Sequence, residues 1–268
     1  MLAHDLPAMG DIDSSMLHFC SLVKEHNKVA LTGECADEIF GGYPWFHKEE
    51  CFRAHTFPWT MDLEARKILL KDDFLDYLQM DAYVKETYER SVSETPTLSE
   101  DSPTEARRRE ISYLNLRWFM QTLLNRMDRA SMYSGLEARV PFADHRIIEY
   151  VWNVPWDMKT RDGLVKNLLR QSGKGLLPDD ILFRRKSPYP KTYDTNYEKL
   201  LTSRVREIMS DASSPVMQFL DRKKLETFLK SPSDYGKPWY GQLMAGPQML
   251  AYVLQIDYWM KTYKITLL

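Results

Sequence analysis

The sequence is poor in the features that would place it in several large protein classes. It has three cysteines, Cys20, Cys35 and Cys51, an odd number without CxxC spacing. That excludes a disulfide framework or a cysteine-based zinc site and suits thiols in a reducing compartment. No eighteen-residue apolar run occurs, and the start, Met1-Leu-Ala-His-Asp5, lacks the charged-then-apolar pattern of a secretory signal. Charge of one sign is missing too: 36 Lys and Arg stand against 38 Asp and Glu, so neither a polyanion nor a membrane surface is expected as main partner. The six histidines have no metal-ligand spacing, and the aromatic residues are not interleaved with regularly spaced lysines, which argues against nucleic-acid stacking. No internal repeat is visible. A soluble, cytoplasmic protein is expected, long enough at 268 residues for one large domain or two small ones.

What the sequence does contain is concentrated in Val29-Ala-Leu-Thr-Gly-Glu-Cys-Ala-Asp-Glu-Ile-Phe-Gly-Gly-Tyr43. Val29, Ala30 and Leu31 form a short apolar run with a β-branched start, as in a buried parallel strand. Thr32-Gly33 ends it, Glu34, Asp37 and Glu38 follow, and Gly41-Gly42 closes the segment with backbone freedom. Open α/β sheets bind ligands beyond the carboxyl ends of their strands, where this cluster would sit. A hydroxyl, a glycine and spaced carboxylates suit a nucleotide–metal site, because glycine admits a phosphate or base and carboxylate oxygen holds Mg²⁺. The plain alternative is an acidic surface turn. Small Cys35-Ala36 and apolar Ile39-Phe40 speak against it.

Thr32-Gly33-Glu34-Cys35-Ala36-Asp37-Glu38-Ile39-Phe40-Gly41-Gly42-Tyr43 resembles the Ser-Gly-Glu-Gly-Ser-Asp-Glu-hydrophobic-Phe-Gly-Gly-Tyr signature of glutamine-dependent asparagine synthetases, in their ATP-using synthetase domain. Ser134-Gly-Leu-Glu-Ala-Arg-Val-Pro-Phe-Ala-Asp144 is similar to the family's Leu-Glu-Ala-Arg-Val-Pro-Phe-Leu-Asp block, and Arg184-Arg-Lys186 to its catalytic-lysine loop. The likeness runs from about Asp11 to about Pro190, with Thr32 for serine and Cys35 for glycine as departures. It implies ATP and Mg²⁺, an aspartyl adenylate, and ammonia from a glutaminase domain that displaces AMP to give asparagine. By resemblance Glu34 serves adenylate formation and its protons, Asp37 is a Mg²⁺–pyrophosphate ligand, and Thr32 and Gly33 contact ATP. Lys186 stabilises pyrophosphate, with Arg184 and Arg185 within one residue of that position, the alternative being a solvated basic patch; Arg126 falls where the family has a basic residue near the aspartate pocket, the alternative being a structural ion pair on its helix.

The family's Ser-Gly-Gly-x-Asp-Ser pyrophosphate loop is absent, and residue 2 is Leu2 where the glutaminase nucleophile would be a cysteine. Residues 1–268 therefore read as the C-terminal part of the synthetase domain, with Met1 an internal methionine, a truncated gene's start or a boundary of the expressed piece. The fold class expected is α/β: a helix-rich part of a doubly wound ATP-pyrophosphatase domain that retains few strands. Alone it is expected to be inactive, and to expose an apolar patch at Leu31 or pair with a second copy. A β-lactam-synthetase-like amidotransferase and a non-catalytic helical remnant are the alternatives.

Periodicity predicts helices over 14–27 with Asp13 as N-cap, 45–55, 62–70, 73–92, around 111–118, and over 121–134, 144–152, 163–172, 195–211, 221–230 and 247–263, with a loop over 93–103. Only 28–32 reads as a strand. Glu137 and Arg139 read as a buried pair at the Val-Pro-Phe corner, Glu38 as structural, His47 as a satisfied core histidine, and Lys166 as a solvated residue within reach of a phosphate.

Overall fold

Val29–Leu31 (β1) and Glu137–Arg139 (β2) pair in parallel in the computed structural model, which describes residues 1–61, 63–185, 194–232 and 246–267. The register matches Val29 with Glu137, Ala30 with Ala138 and Leu31 with Arg139. The Glu137 amide donates to Lys28 O and the Thr32 amide to Arg139 O, each at 2.9 Å. A parallel pair needs a crossover between its strands, and here the crossover includes the Gln121–Tyr133 helix, which runs directly into β2.

β2 corrects the reading of this segment as a corner. Leu136-Glu-Ala-Arg-Val140 alternates apolar and charged residues, the period of a strand. Leu136 is buried, whereas Glu137 and Arg139 fall together on the outer face. They do pair, Nε to Oε1 at 2.7 Å, but in the open rather than buried. β1 also departs from the burial its apolar run suggests: Val29 is 39% and Leu31 74% exposed.

The chain divides into two units. One comprises Met1–Phe19, Trp59–Val84 and Tyr189–Leu268. Its core is gathered by the Thr195–Ser210 and Gly246–Tyr263 helices, with Val205, Val216, Leu225 and Leu250 wholly buried. Pro247 lies in the first turn of the last helix, where its missing N–H costs nothing. Gln255 fixes the N-terminal segment from both ends of its amide: Oε1 accepts from the Ala8 N–H at 3.0 Å and Nε2 donates to Ala8 O at 3.1 Å.

The second unit comprises Cys20–Pro58 and Lys85–Pro188 and contains both strands. Around the short Ala36–Phe40 helix, buried Ala36, Ile39 and Phe40 pack with Val151, Leu116, Phe142 and Leu168. Pro103–Leu114 starts with a capping box on Ser102 and Glu105, continues through a π-helical turn over Asn115–Met120, and runs on as Gln121–Tyr133.

Boundaries shift for local reasons. The first helix is Ile12–Lys24, so Asp13 lies inside its first turn instead of capping it. The helix expected over 73–92 breaks at Gln79, left-handed at φ 47°, into Asp72–Leu78 and Met80–Ser93. The stretch over 45–55 resolves into a 3₁₀ turn, Pro44–Phe46, and the helix Glu49–Arg53. The 163–172 helix shortens to Asn167–Ser172 because Gly163 and Lys166 both have positive φ. Among the described residues no helix is long and apolar enough to cross a membrane.

Leu250→Ala should lower unfolding stability by about 2–5 kcal/mol, since the site cannot refill a buried leucine's volume. Leu200→Ala, at a position 55% exposed, should stay within about 0.5 kcal/mol. Urea unfolding followed by circular dichroism reads both; equal losses would mean that Leu250 is not in a tight core.

Candidate functional site

The site residues lie where β1 ends. After Leu31 the backbone passes Thr32 and Gly33, turns through Cys35 in the left-handed conformation (φ 70°), and enters the Ala36–Phe40 helix. This turn sends Glu34 and Asp37 to different cations. Glu34 Oε1 accepts from Arg126 Nη2 at 3.1 Å, and Lys166 Nζ lies 2.9 Å from Asp37 Oδ1, with all four side chains largely buried. Arg126 comes from the helix that leads into β2, and Lys166 from the left-handed turn before the Asn167–Ser172 helix. The distance makes the second contact an ion pair, but its angles fall short of a hydrogen bond.

Gly41 and Gly42 are each required by contact. Gly41 has φ 69°, and a Cβ there would come within 2.7 Å of the Trp156 ring. A Cβ on Gly42 would stand 1.8 Å from Asp37 Oδ1. The Asp37 carboxylate therefore folds back over a backbone position that only glycine vacates. Beneath it, buried Glu38 accepts from Tyr43 Oη at 2.6 Å, which bears out its structural reading. Tyr43 stacks on Trp45, Phe119 meets both rings edge-on, and Trp45 Nε1 donates to Asn115 Oδ1 at 3.2 Å. The π-helical turn thus supplies the residues that lock the far end of the acid loop. His47 Nε2 lies 2.8 Å from Gly41 O, which can only accept, so that nitrogen carries the proton. His47 is exposed rather than core.

Burial is the dominant electrostatic influence on the loop. It holds the Glu34 carboxyl above the ordinary carboxylate range, against the opposing attraction and hydrogen bond of Arg126. The Cys35 thiol is pushed up to about 12 by burial and by Glu38 and Glu34, so it is no nucleophile. Burial and then Glu38 hold the Tyr43 hydroxyl protonated, with a smaller contribution from Asp37 and an opposing pull from Arg126. Thr32 Oγ1 and Glu34 Oε2 are buried and lack a hydrogen-bond partner among the described residues. Gly33 is exposed, with nothing within 4 Å of where a Cβ would stand, so neither packing nor backbone strain demands glycine there. These are buried polar atoms without a described partner beside open backbone, all on one turn.

Of the sequence-predicted residues, Thr32, Gly33, Glu34 and Asp37 lie on this turn, and Arg126 is brought to it as the partner of Glu34. Lys186 lies outside the described residues. Lys166 was missed: it pairs with Asp37 instead of facing solvent. The signal that conceals it is conformational, since a lysine at φ 56° cannot be told from a helical one by spacing. Asp37 is one carboxylate without two further candidate ligands beside it among the described residues.

Two outcomes follow from the geometry. Gly42→Ala should cost about 1–3 kcal/mol through overpacking, and less in an Asp37→Ala background, because the carboxylate is the nearest obstacle. Equal cost in both backgrounds would show that the clash lies with the backbone. The raised Glu34 pKa contributes stability that is fully present below about 4.5 and lost as pH rises through the folded-state value. Wild-type stability minus that of Glu34→Gln should therefore fall over this rise in pH; a flat or rising difference in thermal melts would contradict the burial argument.

Comparison with known proteins adds the family. The family model described as asparagine synthase matches residues 1–261. Asparagine synthetase [glutamine-hydrolyzing] 3 of Bacillus subtilis (strain 168) is 48% identical over 99% of this chain and 43% of its own length. Asparagine synthetase [glutamine-hydrolyzing] 1 of the same organism is 26% identical over 71% of this chain and 35% of its own. The rat enzyme of that name is 37% identical over 32% of this chain and 17% of its own. The chain spans less than half the length of these curated relatives. With the family model covering all but the last seven residues, the chain belongs to the asparagine synthase family.

Proposed function

We propose that residues 1–268 form the C-terminal part of the synthetase domain of a glutamine-hydrolysing asparagine synthetase. The reaction is ATP-dependent ligation: aspartate and ATP give an aspartyl adenylate and pyrophosphate, and ammonia from a glutaminase domain displaces AMP. The observation that carries this reading is one turn, at the carboxyl end of a parallel strand, on which Glu34 and Asp37 are held by Arg126 and Lys166. The exposed Leu31 and Val29 support a doubly wound sheet completed by strands from outside these residues or by a second copy. Three free, buried thiols support a reducing, cytoplasmic setting.

Attack of the aspartate carboxylate on the α-phosphorus moves negative charge onto pyrophosphate, so fixed cations aimed there favour the transition state. Lys186 and Lys166 are the cations assigned to this work. Asp37 would hold Mg²⁺, which when bound screens the charge of the polyphosphate. Thr32 Oγ1 and the open backbone at Gly33 would meet the nucleotide. The guanidinium of Arg126 has five donors and can orient Glu34 while also receiving a substrate carboxylate. Ammonia addition yields a tetrahedral species that must shed protons. Glu34, desolvated and with Oε2 unengaged by described residues, would be the base that accepts one, a role its burial supports.

In the complete enzyme, Lys186→Met keeps most of the aliphatic stem and removes the charge, so the loss should fall on turnover rather than on ATP binding. Pyrophosphate release should drop on the order of a hundredfold to a thousandfold, and Glu34→Gln should also cut synthesis. Glutamine hydrolysis, on another domain, should persist in both. Pyrophosphate release by Lys186→Met within about threefold of wild type would sink the assignment.

A further inference from the structure

Trp156 bears on the acid loop at a point where the backbone has no side chain to give way. Its six-membered ring lies against Gly41: a Cβ there would stand 2.7 Å from Cη2 and 3.1 Å from Cζ2. Gly41 ends the Ala36–Phe40 helix in the left-handed conformation. Its amide and that of Gly42 both turn back to Asp37 O, the second at 2.8 Å. Gly42 in turn lies under the Asp37 carboxylate, where a Cβ would stand 1.8 Å from Oδ1. The indole also reaches the segment that follows. It lies 5.4 Å from the Phe46 ring and 6.1 Å from that of His47, between centroids, and His47 Nε2 donates to Gly41 O at 2.8 Å. Gly41 is thus braced on its Cα side by Trp156 and at its carbonyl by a histidine beside the same indole.

The ring is itself held by cations. The Arg108 guanidinium lies over it at 5.2 Å from the centroid and the Lys159 ammonium at 5.9 Å. Burial lowers the pKa of both, that of Lys159 to about 8, and buried Arg108 Nε has no hydrogen-bond partner among the described residues. A desolvated cation gains more from a ring face than a hydrated one, and indole offers the strongest such face. Trp156 is only partly buried, so filling space does not by itself account for an indole here.

We propose that Trp156 is a positioning residue for Asp37, fixing through Gly41 and Gly42 the bend over which that carboxylate folds. The inference rests on the reading of Asp37 as the Mg²⁺–pyrophosphate ligand, and deepens it. Trp156 touches no reacting group; it acts through backbone. Were the indole replaced by a smaller side chain, Gly41 could move into the space left, and the Asp37 carboxylate would shift with the glycine beneath it. A displacement of about 1 Å in a group that orients a reactant can cost on the order of a hundredfold in rate.

The test uses the complete enzyme and separates local order from chemistry. Trp156→Leu keeps apolar volume and removes the plane. The Mg²⁺ concentration that half-saturates pyrophosphate release should rise about tenfold, with KM for aspartate within about threefold. Trp156→Phe, which keeps a ring against Gly41, should recover most of that shift. In an Asp37→Asn background, Trp156→Leu should add less than about threefold, because the group it positions has lost its charge. Independently of activity, amide hydrogen exchange over residues 39–43, without Mg²⁺ or nucleotide, should be faster in Trp156→Leu than in wild type. Exchange over Thr195–Ser210 should not change. Unchanged exchange over 39–43 overturns the proposal, whatever the activity. If Asp37→Asn shifts the Mg²⁺ dependence and Trp156→Leu does not, Trp156 supports the fold only and the proposal alone falls. If Asp37→Asn leaves that dependence where it was, the functional reading of Asp37 fails and the proposal falls with it.

Discussion

Burial raises the Glu34 carboxyl more than Arg126 lowers it, and the meeting of these two side chains depends on how the second unit pairs its strands. A buried carboxylate loses its hydration, and one guanidinium at 3.1 Å offsets only part of the loss, so burial keeps the carboxyl above its usual range. An acid kept partly uncompensated is what proton-transfer sites need. Bringing Arg126 to Glu34 across ninety-two positions of sequence requires the parallel pairing of β1 with β2. β2 follows the helix that carries Arg126 after a three-residue turn at Ser134-Gly135-Leu136, so the register of three residue pairs sets which helical turn faces the acid.

The same turn imposes a backbone cost. Cys35 sits at φ 70°, where a non-glycine residue is disfavoured by roughly 1–2 kcal/mol. The family signature has glycine at this position, so the departure visible in the sequence carries a conformational meaning. With its side chain only 1% exposed, Cys35 loses on the backbone and regains some of it by burial. Downstream, buried Ile39 and Phe40 hold the short helix to the core, and Tyr43, stacked on Trp45 and bonded to Glu38, closes the segment. The loop is held at both ends and strained in the middle, as is common for residues fixed at functional sites.

The candidate site was largely legible because its residues are contiguous. A strand, a hydroxyl, a glycine and three acids can be read in one line, and the structure keeps them on one turn. Arg126 was legible through resemblance only; nothing in its own helix signals a partner so far back in the chain. Lys166 was illegible because backbone sign, not side-chain spacing, decides where it points. β2 was overlooked although Leu136-Glu-Ala-Arg-Val140 alternates, because the Val140-Pro141-Phe142 segment just after it suggested a corner before a strand. Helix existence was easier than helix ends: Gln79 and Lys166 each break a periodic pattern by adopting positive φ, which composition does not encode.

Charge arithmetic ties the three cations of the proposed mechanism together. Glu34, Asp37 and Glu38 are three acids within five residues, a surface that would repel a polyphosphate if left alone. Arg126 and Lys166 cancel two of these charges, and the third, on Glu38, is buried under the Tyr43 hydroxyl. The turn is thereby made nearly neutral without being stripped of carboxylates. On the proposed reading, an ion arriving with the nucleotide competes with Lys166 for Asp37, and the displaced ammonium finds a phosphate within the reach of its own stem. Its charge is redistributed, not added. The charge that develops on departing pyrophosphate then calls for a cation that no acid of this turn already holds. On the proposed reading, the Arg184-Arg185-Lys186 run is the source the sequence offers.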